Sequence, residues 1–118
     1  MKTIYIASGE KEKGAILTEF LRNKGVLTIN PWEHQVENIF NNDLELIDKS
    51  NLVAVIMPIG GYAYGVVCES MYAYQRKIPV YTLTNASYGE PLFMKRVSRK
   101  IFWSPEEFRE ELVVIGAN

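Results

Sequence analysis

The 118-residue chain contains one cysteine, one histidine and no apolar run approaching the ~18 residues of a membrane span. A lone cysteine, Cys68, forms no internal disulfide, and because Met1-Lys2-Thr3 leads straight into a strand-like run no signal peptide is expected. Together these point to a reducing cytoplasm. A lone histidine, His34, has no metal-ligand partner at a recognisable spacing, so no metal site is expected. Nor is there a second histidine to act as base for a cysteine nucleophile, and Cys68, flanked by apolar residues, reads as a small core residue. The net charge of −1 gives no electrostatic reason to expect nucleic acid or an anionic membrane as partner. Gly60, Gly61 and Gly65 do not make a G-x-G-x-x-G, and Ser8-Gly9 is no P-loop, which argues against a dinucleotide or Walker site. Internal repeats, linkers and low-complexity stretches are also missing.

What remains is a globular composition, 47% hydrophobic and 23% charged, of a length that suits one domain over residues 1–118. Thr3 to Ala7 (TIYIA) reads as a first strand buried on both faces. Lys11 to Asn23 has helical spacing, with Ile16, Leu17, Phe20 and Leu21 expected inward and Gly25 as the stop. Val26 to Ile29 is a short second strand closed by Asn30-Pro31. Trp32 to Asn42 is the least regular stretch and reads as an irregular helix or lid; Asp43 to Lys49 follows as a short helix with Leu44, Ile47 and Leu46 inward. Leu52 to Met57 is a third strand, emptying into a loop with Pro58, Gly60 and Gly61, then a helix from about Gly65 and a fourth strand, Ile78 to Leu83. After the turn-rich 84–91, one or two helical turns at Leu92 to Val97 precede a fifth strand at Lys100 to Trp103. Ser104-Pro105-Glu106-Glu107 is a helix start with an N-cap serine, Pro at the first position and acids in the first turn. That last helix should pack Phe108, Leu112 and Ile115. Strands alternating with helices in this order define an α/β fold, a three-layer doubly wound (flavodoxin/Rossmann-like) domain with about five parallel strands.

In such sheets chemistry sits beyond the carboxyl ends of the strands, and Glu69 falls there. An inward stripe of Val67, Met71 and Tyr74 would leave Glu69 outside it, ionised and favoured by the helix dipole. Beside a glycine- and tyrosine-lined mouth, that carboxylate is either a nucleophile for an oxocarbenium-like centre or only an acid at a helix start. Asp43 precedes a helix-like segment, so an N-cap is the simplest role for it. Asp48 reads as solvated and Tyr5, mid-strand, as core. Tyr62, Tyr64 and Tyr88 lie in loops that converge on one edge, where rings can stack on a flat ligand. Lys95, Arg96, Arg99 and Lys100 form a basic cluster that reads as a solvated face able to meet a phosphate.

Asn41-Asn42-Asp43-Leu44, the strand Leu52 to Met57, Gly65-Val66-Val67-Cys68-Glu69, Tyr72-Ala73-Tyr74 and Lys77-Ile78-Pro79-Val80 together resemble the core of the nucleoside 2-deoxyribosyltransferase family. Tyr88-Gly89-Glu90-Pro91 resembles its YGKP-type turn, and Ile4-Tyr5-Ile6-Ala7 its opening strand. The resemblance implies that Glu69 is the nucleophile attacking C1′ of a nucleoside or deoxynucleotide to form a covalent glycosyl-enzyme. It further implies that Asp43 assists protonation of the leaving base, and that Tyr5 positions Glu69 by hydrogen bonding. Ser8, Gly9, Gly61, Tyr62, Gly65 and Tyr88 are then the candidates for binding substrate. No metal or organic cofactor is implied. The family's oligomers, in which a neighbouring chain completes the site, imply a homo-oligomer, dimer or larger. Two positions depart from the family pattern. Ala63 stands where the transferases place a base-contacting aspartate, and Leu92-Phe93-Met94 offers no amide where they place an asparagine. The related deoxynucleoside 5′-monophosphate glycosidases also lack the aspartate, but carry a phosphate loop to which only Ser8-Gly9, with Lys11 and Lys13 nearby, corresponds. Transfer or hydrolysis of an N-glycosidic bond is therefore the leading expectation. A non-catalytic nucleotide-binding module, or an assembly protein using the fold for oligomerisation, is the alternative.

Overall fold

Five runs of β-branched and apolar residues pair in parallel as one sheet: β1 (Thr3–Ser8), β2 (Leu27–Ile29), β3 (Leu52–Ile56), β4 (Val80–Leu83) and β5 (Lys100–Phe102), in the order β2-β1-β3-β4-β5. The structure is a computed structural model that describes residues 2–33, 39–60, 64–89 and 91–118. Parallel neighbours need crossovers, supplied by α1 (Lys11–Asn23), α2 (Ile39–Asp48), α3 (Tyr64–Gln75) and α4 (Leu92–Val97), with α5 (Pro105–Ala117) closing the chain. Short 3₁₀ turns lie at Pro31–Glu33 and Ala86–Tyr88. Among the described residues no helix is long and apolar enough to cross a membrane.

Period-2 alternation along the strands divides the core between the two faces of the sheet. Ile4, Ile6, Ala54, Ile56 and Tyr81 pack with Leu17 and Leu21 of α1 and Phe108 and Leu112 of α5. Tyr5, Ala7, Val53, Val55 and Val80 pack with Ile47 of α2, Val66 and Ala73 of α3, and Met94 of α4. Successive helices thus leave β1 and β3 toward opposite faces, the arrangement that opens a crevice at the carboxyl ends of those two strands. The helix ends follow local chemistry. The chain leaves α1 through Lys24 and Gly25, the latter at φ +79°, and the Ser104 hydroxyl accepts from the Glu107 N–H (3.3 Å) at the start of α5.

Several sequence expectations are corrected here. Ile16 is 63% exposed; the buried positions of α1 are Gly14, Leu17, Thr18 and Leu21, because small residues at 14 and 18 let the helix lie close to the sheet. The inward stripe of α3 is Val66, Glu69, Ser70 and Ala73, and Tyr74 is 53% exposed. That stripe is again mostly small, and it carries Glu69 into the interior, whereas Val67, Met71 and Tyr74 would have left it outside. Asp43 lies in the fifth position of α2, too far inside the helix for an N-cap role. Its helix starts four residues earlier than the spacing suggested, absorbing part of the stretch read as a lid. The rest of that stretch, residues 34–38 with His34, lies outside the described residues. Cys68 is exposed, on the side of α3 away from the sheet.

The adjacent residues Ile16 and Leu17 separate these two readings of α1. Leu17→Ala should cost about 2–5 kcal/mol in urea or thermal unfolding, and Ile16→Ala no more than about 0.5 kcal/mol.

Candidate functional site

Tyr5 is fully buried at the middle of β1, and its side chain rises from the sheet toward α3, where its hydroxyl donates a hydrogen bond to Oε2 of Glu69. Glu69 is 8% exposed. With Asp43 it lines a cavity of about 310 Å³ at the carboxyl end of the sheet, together with Ser8, Gly9, Pro31, Trp32 and Gly65. The volume is at the low end of the range of about 300–1,000 Å³ for small-molecule sites.

Burial holds the Glu69 carboxyl well above the usual carboxylate range, at about 7; the Tyr5 hydrogen bond pulls it down, and the charge of Asp43 pushes it up. The helix dipole expected to keep Glu69 ionised is therefore outweighed by desolvation. Tyr5 stays a phenol: burial, then the Glu69 charge and the hydrogen bond to it, raise its ionisation far above the usual value. Two acids line this cavity, one of them held from behind by a buried phenol, and no Lys or Arg is among the described residues lining it. Among the described residues no group of His, Cys, Asp and Glu is arranged to hold a metal ion.

The walls are fixed by contacts that the sequence reading did not foresee. The Gly9 N–H donates to the Ile56 carbonyl (3.1 Å), which brings the loop after β1 against the loop after β3. A Cβ on Gly9 would come within 2.5 Å of the Pro58 ring, so only glycine permits this approach. Glu10 accepts from the Ile59 N–H (2.9 Å), and the Asn85 amide donates to the carbonyls of Met57 (3.2 Å) and Pro58 (3.1 Å), so both flanks of that loop are held. On the other wall, buried Asn30 donates to the Thr18 hydroxyl (3.0 Å) and accepts from the Trp32 N–H (3.0 Å), which sets the backbone at the indole. The signal for Trp32 and Pro31 was present: they follow the carboxyl end of β2, the neighbour of β1. α2 and α3 are tied together by the Tyr72 hydroxyl, which donates to the Asp48 carboxylate (2.8 and 2.9 Å), with Arg76 over the Tyr72 ring.

The sequence candidates Glu69, Asp43, Ser8, Gly9 and Gly65 line this one cavity, and Tyr5 reaches it through Glu69. The Ser8 hydroxyl is engaged with the backbone of Glu10, donating to its carbonyl (2.6 Å) and accepting from its N–H (3.2 Å). Gly61, Tyr62 and Ala63 lie outside the described residues, as does the Tyr88 side chain, although its backbone forms part of the 3₁₀ turn after β4. Tyr64 is the first residue of α3 and 72% exposed. A second, apolar cavity of about 350 Å³, bounded by Ile16, Trp103 and Phe108, lies on the opposite face of the sheet and contains none of the candidates.

Fold and site define an α/β doubly wound domain whose crevice at the carboxyl ends of β1 and β3 holds a buried carboxyl–phenol pair beside a second acid. No protein-family model matches the chain, and no curated protein matches it. Solved structures do. A 2-deoxyribosyltransferase from the psychrotolerant bacterium Bacillus psychrosaccharolyticus superposes with a TM-score of 0.73 at 22% identity, over 91% of this chain and 90% of the other. A conserved protein from Enterococcus faecalis V583 superposes with 0.77 at 20% identity, over 95% and 97%. The chain thus has a nucleoside 2-deoxyribosyltransferase-like fold.

The raised Glu69 carboxyl makes folding stability pH-dependent. Folding lifts its pKa from 4.5 to about 7, so the fold favours the protonated form. That contribution is fully present below pH 4.5 and is lost as pH rises through about 7, a difference of about 3 kcal/mol. Glu69→Gln should therefore flatten the decline in thermal stability between pH 5 and pH 8. Carboxyl NMR titration should place Glu69 higher in Tyr5→Phe and lower in Asp43→Asn.

Proposed function

We propose that the protein transfers or hydrolyses the N-glycosidic bond of a nucleoside or deoxynucleotide through a covalent glycosyl–Glu69 intermediate. The observation that carries this reading is the placement of Glu69: buried, held at Oε2 by Tyr5, and sharing one cavity with Asp43. Tyr5 occupies one carboxylate oxygen and fixes the plane of the group, leaving Oε1 to attack C1′ of the sugar. As the Oε1–C1′ bond forms, the C1′–N bond breaks and its electron pair goes to the base, which takes a proton with help from Asp43. A ring N–H of a second base, or water, then attacks C1′ from the opposite side and gives up its proton to Asp43. The ester bond breaks and its electrons return to the Glu69 carboxylate. Trp32 supplies an aromatic wall on which a planar base can stack. The fold shared with a 2-deoxyribosyltransferase supports the reaction class.

Chain association fits the same reading. Leu44 of α2, Val67 and Met71 of α3 and Phe93 of α4 line a largely apolar depression, and we propose that a second copy covers it. Met71→Glu should shift the species seen in light scattering from dimer or larger to monomer.

The activity test is incubation with deoxynucleosides and deoxynucleoside monophosphates, with and without labelled adenine. Released or exchanged bases are expected, with a rate that rises with pH along an acid limb near 7, as Glu69 ionises. Glu69→Ala should lower that rate by at least about 10³-fold. Silence of the wild type on all substrates would leave a binding module instead, and equal rates for the variant would remove Glu69 from the mechanism.

A further inference from the structure

The end of the sheet opposite the carboxylates has its own cavity, about 530 Å³, where α3 and α4 end and β4 and β5 begin. Lys77, Arg96 and Arg99 line it, with Tyr74 and Ser98. No acidic side chain is among the described residues lining it, and none of the three cations forms an ion pair among the described residues. In a chain of net charge −1 this is a local concentration of one sign.

The simplest explanation of cations here is that they offset the carbonyl ends of α3 and α4. A helix C-terminus carries roughly half a negative charge, so two such ends neutralise about one of three positive charges. A surplus of about two remains. Lys77 adds an independent observation. It stands just past α3 with φ +62°, the left-handed position that glycine or asparagine normally takes. A lysine kept in that strained position directs attention to its side chain rather than its backbone. Tyr74, 53% exposed, gives the same cavity an aromatic ring.

We infer that this cavity is a second ligand site, separate from the carboxylate crevice, that takes a multiply charged phosphate ester bearing a planar base. The Arg96 and Arg99 guanidinium forks and the Lys77 ammonium meet the phosphate oxygens, and the Tyr74 ring stacks on the base.

Calorimetric titration of the full chain in low salt, with adenosine triphosphate, inorganic tripolyphosphate and adenosine as separate probes, tests this. The triphosphate should bind, more tightly than tripolyphosphate, and added salt should weaken it. An Arg96→Ala, Arg99→Ala double variant should lose affinity by about tenfold or more. Both arginines are exposed and outside the core, so circular dichroism should show an intact fold. Lys77→Asn, which keeps a residue tolerant of positive φ, should weaken binding without unfolding the chain. Tyr74→Ala should bring the triphosphate down to the affinity of tripolyphosphate. Binding that survives the double variant, or that Glu69→Gln abolishes instead, would overturn the placement of the site. Equal affinity of the wild type for the two polyphosphates would overturn the role of the base, and no binding of either would overturn the whole proposal.

Discussion

A carboxyl group in a protein interior needs a partner, and the partner of Glu69 is a phenol 64 residues earlier in the chain. That contact joins the middle of β1 to the second turn of α3, and much of the architecture on that face follows from it. α3 must come close to the sheet for the two groups to meet, which requires the small stripe of Ser70 and Ala73 beside Glu69. The larger apolar side chains Val67 and Met71 are only half-buried and line a depression with Leu44 of α2 and Phe93 of α4, Met71 packing on the edge of the core. Burial also decides the chemistry. With a neutral hydrogen-bond donor on one oxygen and little solvent around it, this carboxyl is held well above the usual carboxylate range.

The two ends of the parallel sheet differ in charge for a reason built into the topology. Every crossover helix runs antiparallel to its strands, so helix N-termini gather at the carboxyl edge and helix C-termini at the opposite edge. Asp43, Glu69 and Glu10 stand near the first edge, and Lys77, Arg96 and Arg99 near the second. The dipoles favour both placements. Desolvation nonetheless outweighs the dipole at Glu69, and at the basic edge the cations exceed what the dipoles can offset.

Much of the fold was legible because its signals are local. The periodicity of residues 11–23 gave the limits of α1, and Ser104-Pro105 with its two acids gave the start of α5. Strand runs bounded by glycine and proline gave five strands, and the crossover rule made them parallel. Three of the errors share one cause. Ile16, Tyr74 and Cys68 were placed by hydrophobicity, but which stripe of a helix faces a sheet is decided by how closely the two can approach. Small residues won at Gly14 and Thr18 in α1, and at Ser70 and Ala73 in α3. Asp43 looked like a cap because its helix was read as starting with it; the turn before it carries no periodic signal strong enough to extend the helix backwards.

The sequence by itself determined the order and kind of the elements, the parallel sheet, and which residues fall at its carboxyl edge, since turn chemistry and periodicity act over a few residues. It marked Glu69 and Asp43 by motif order. Only the tertiary structure decided that Glu69 is buried, that Tyr5 holds it, that Trp32 faces the same cavity, and that Lys77 joins Arg96 and Arg99 around another. Those facts depend on contacts between residues distant in the chain. Solvent exclusion around a carboxyl is a property of the packed layers, which no stretch of sequence carries alone.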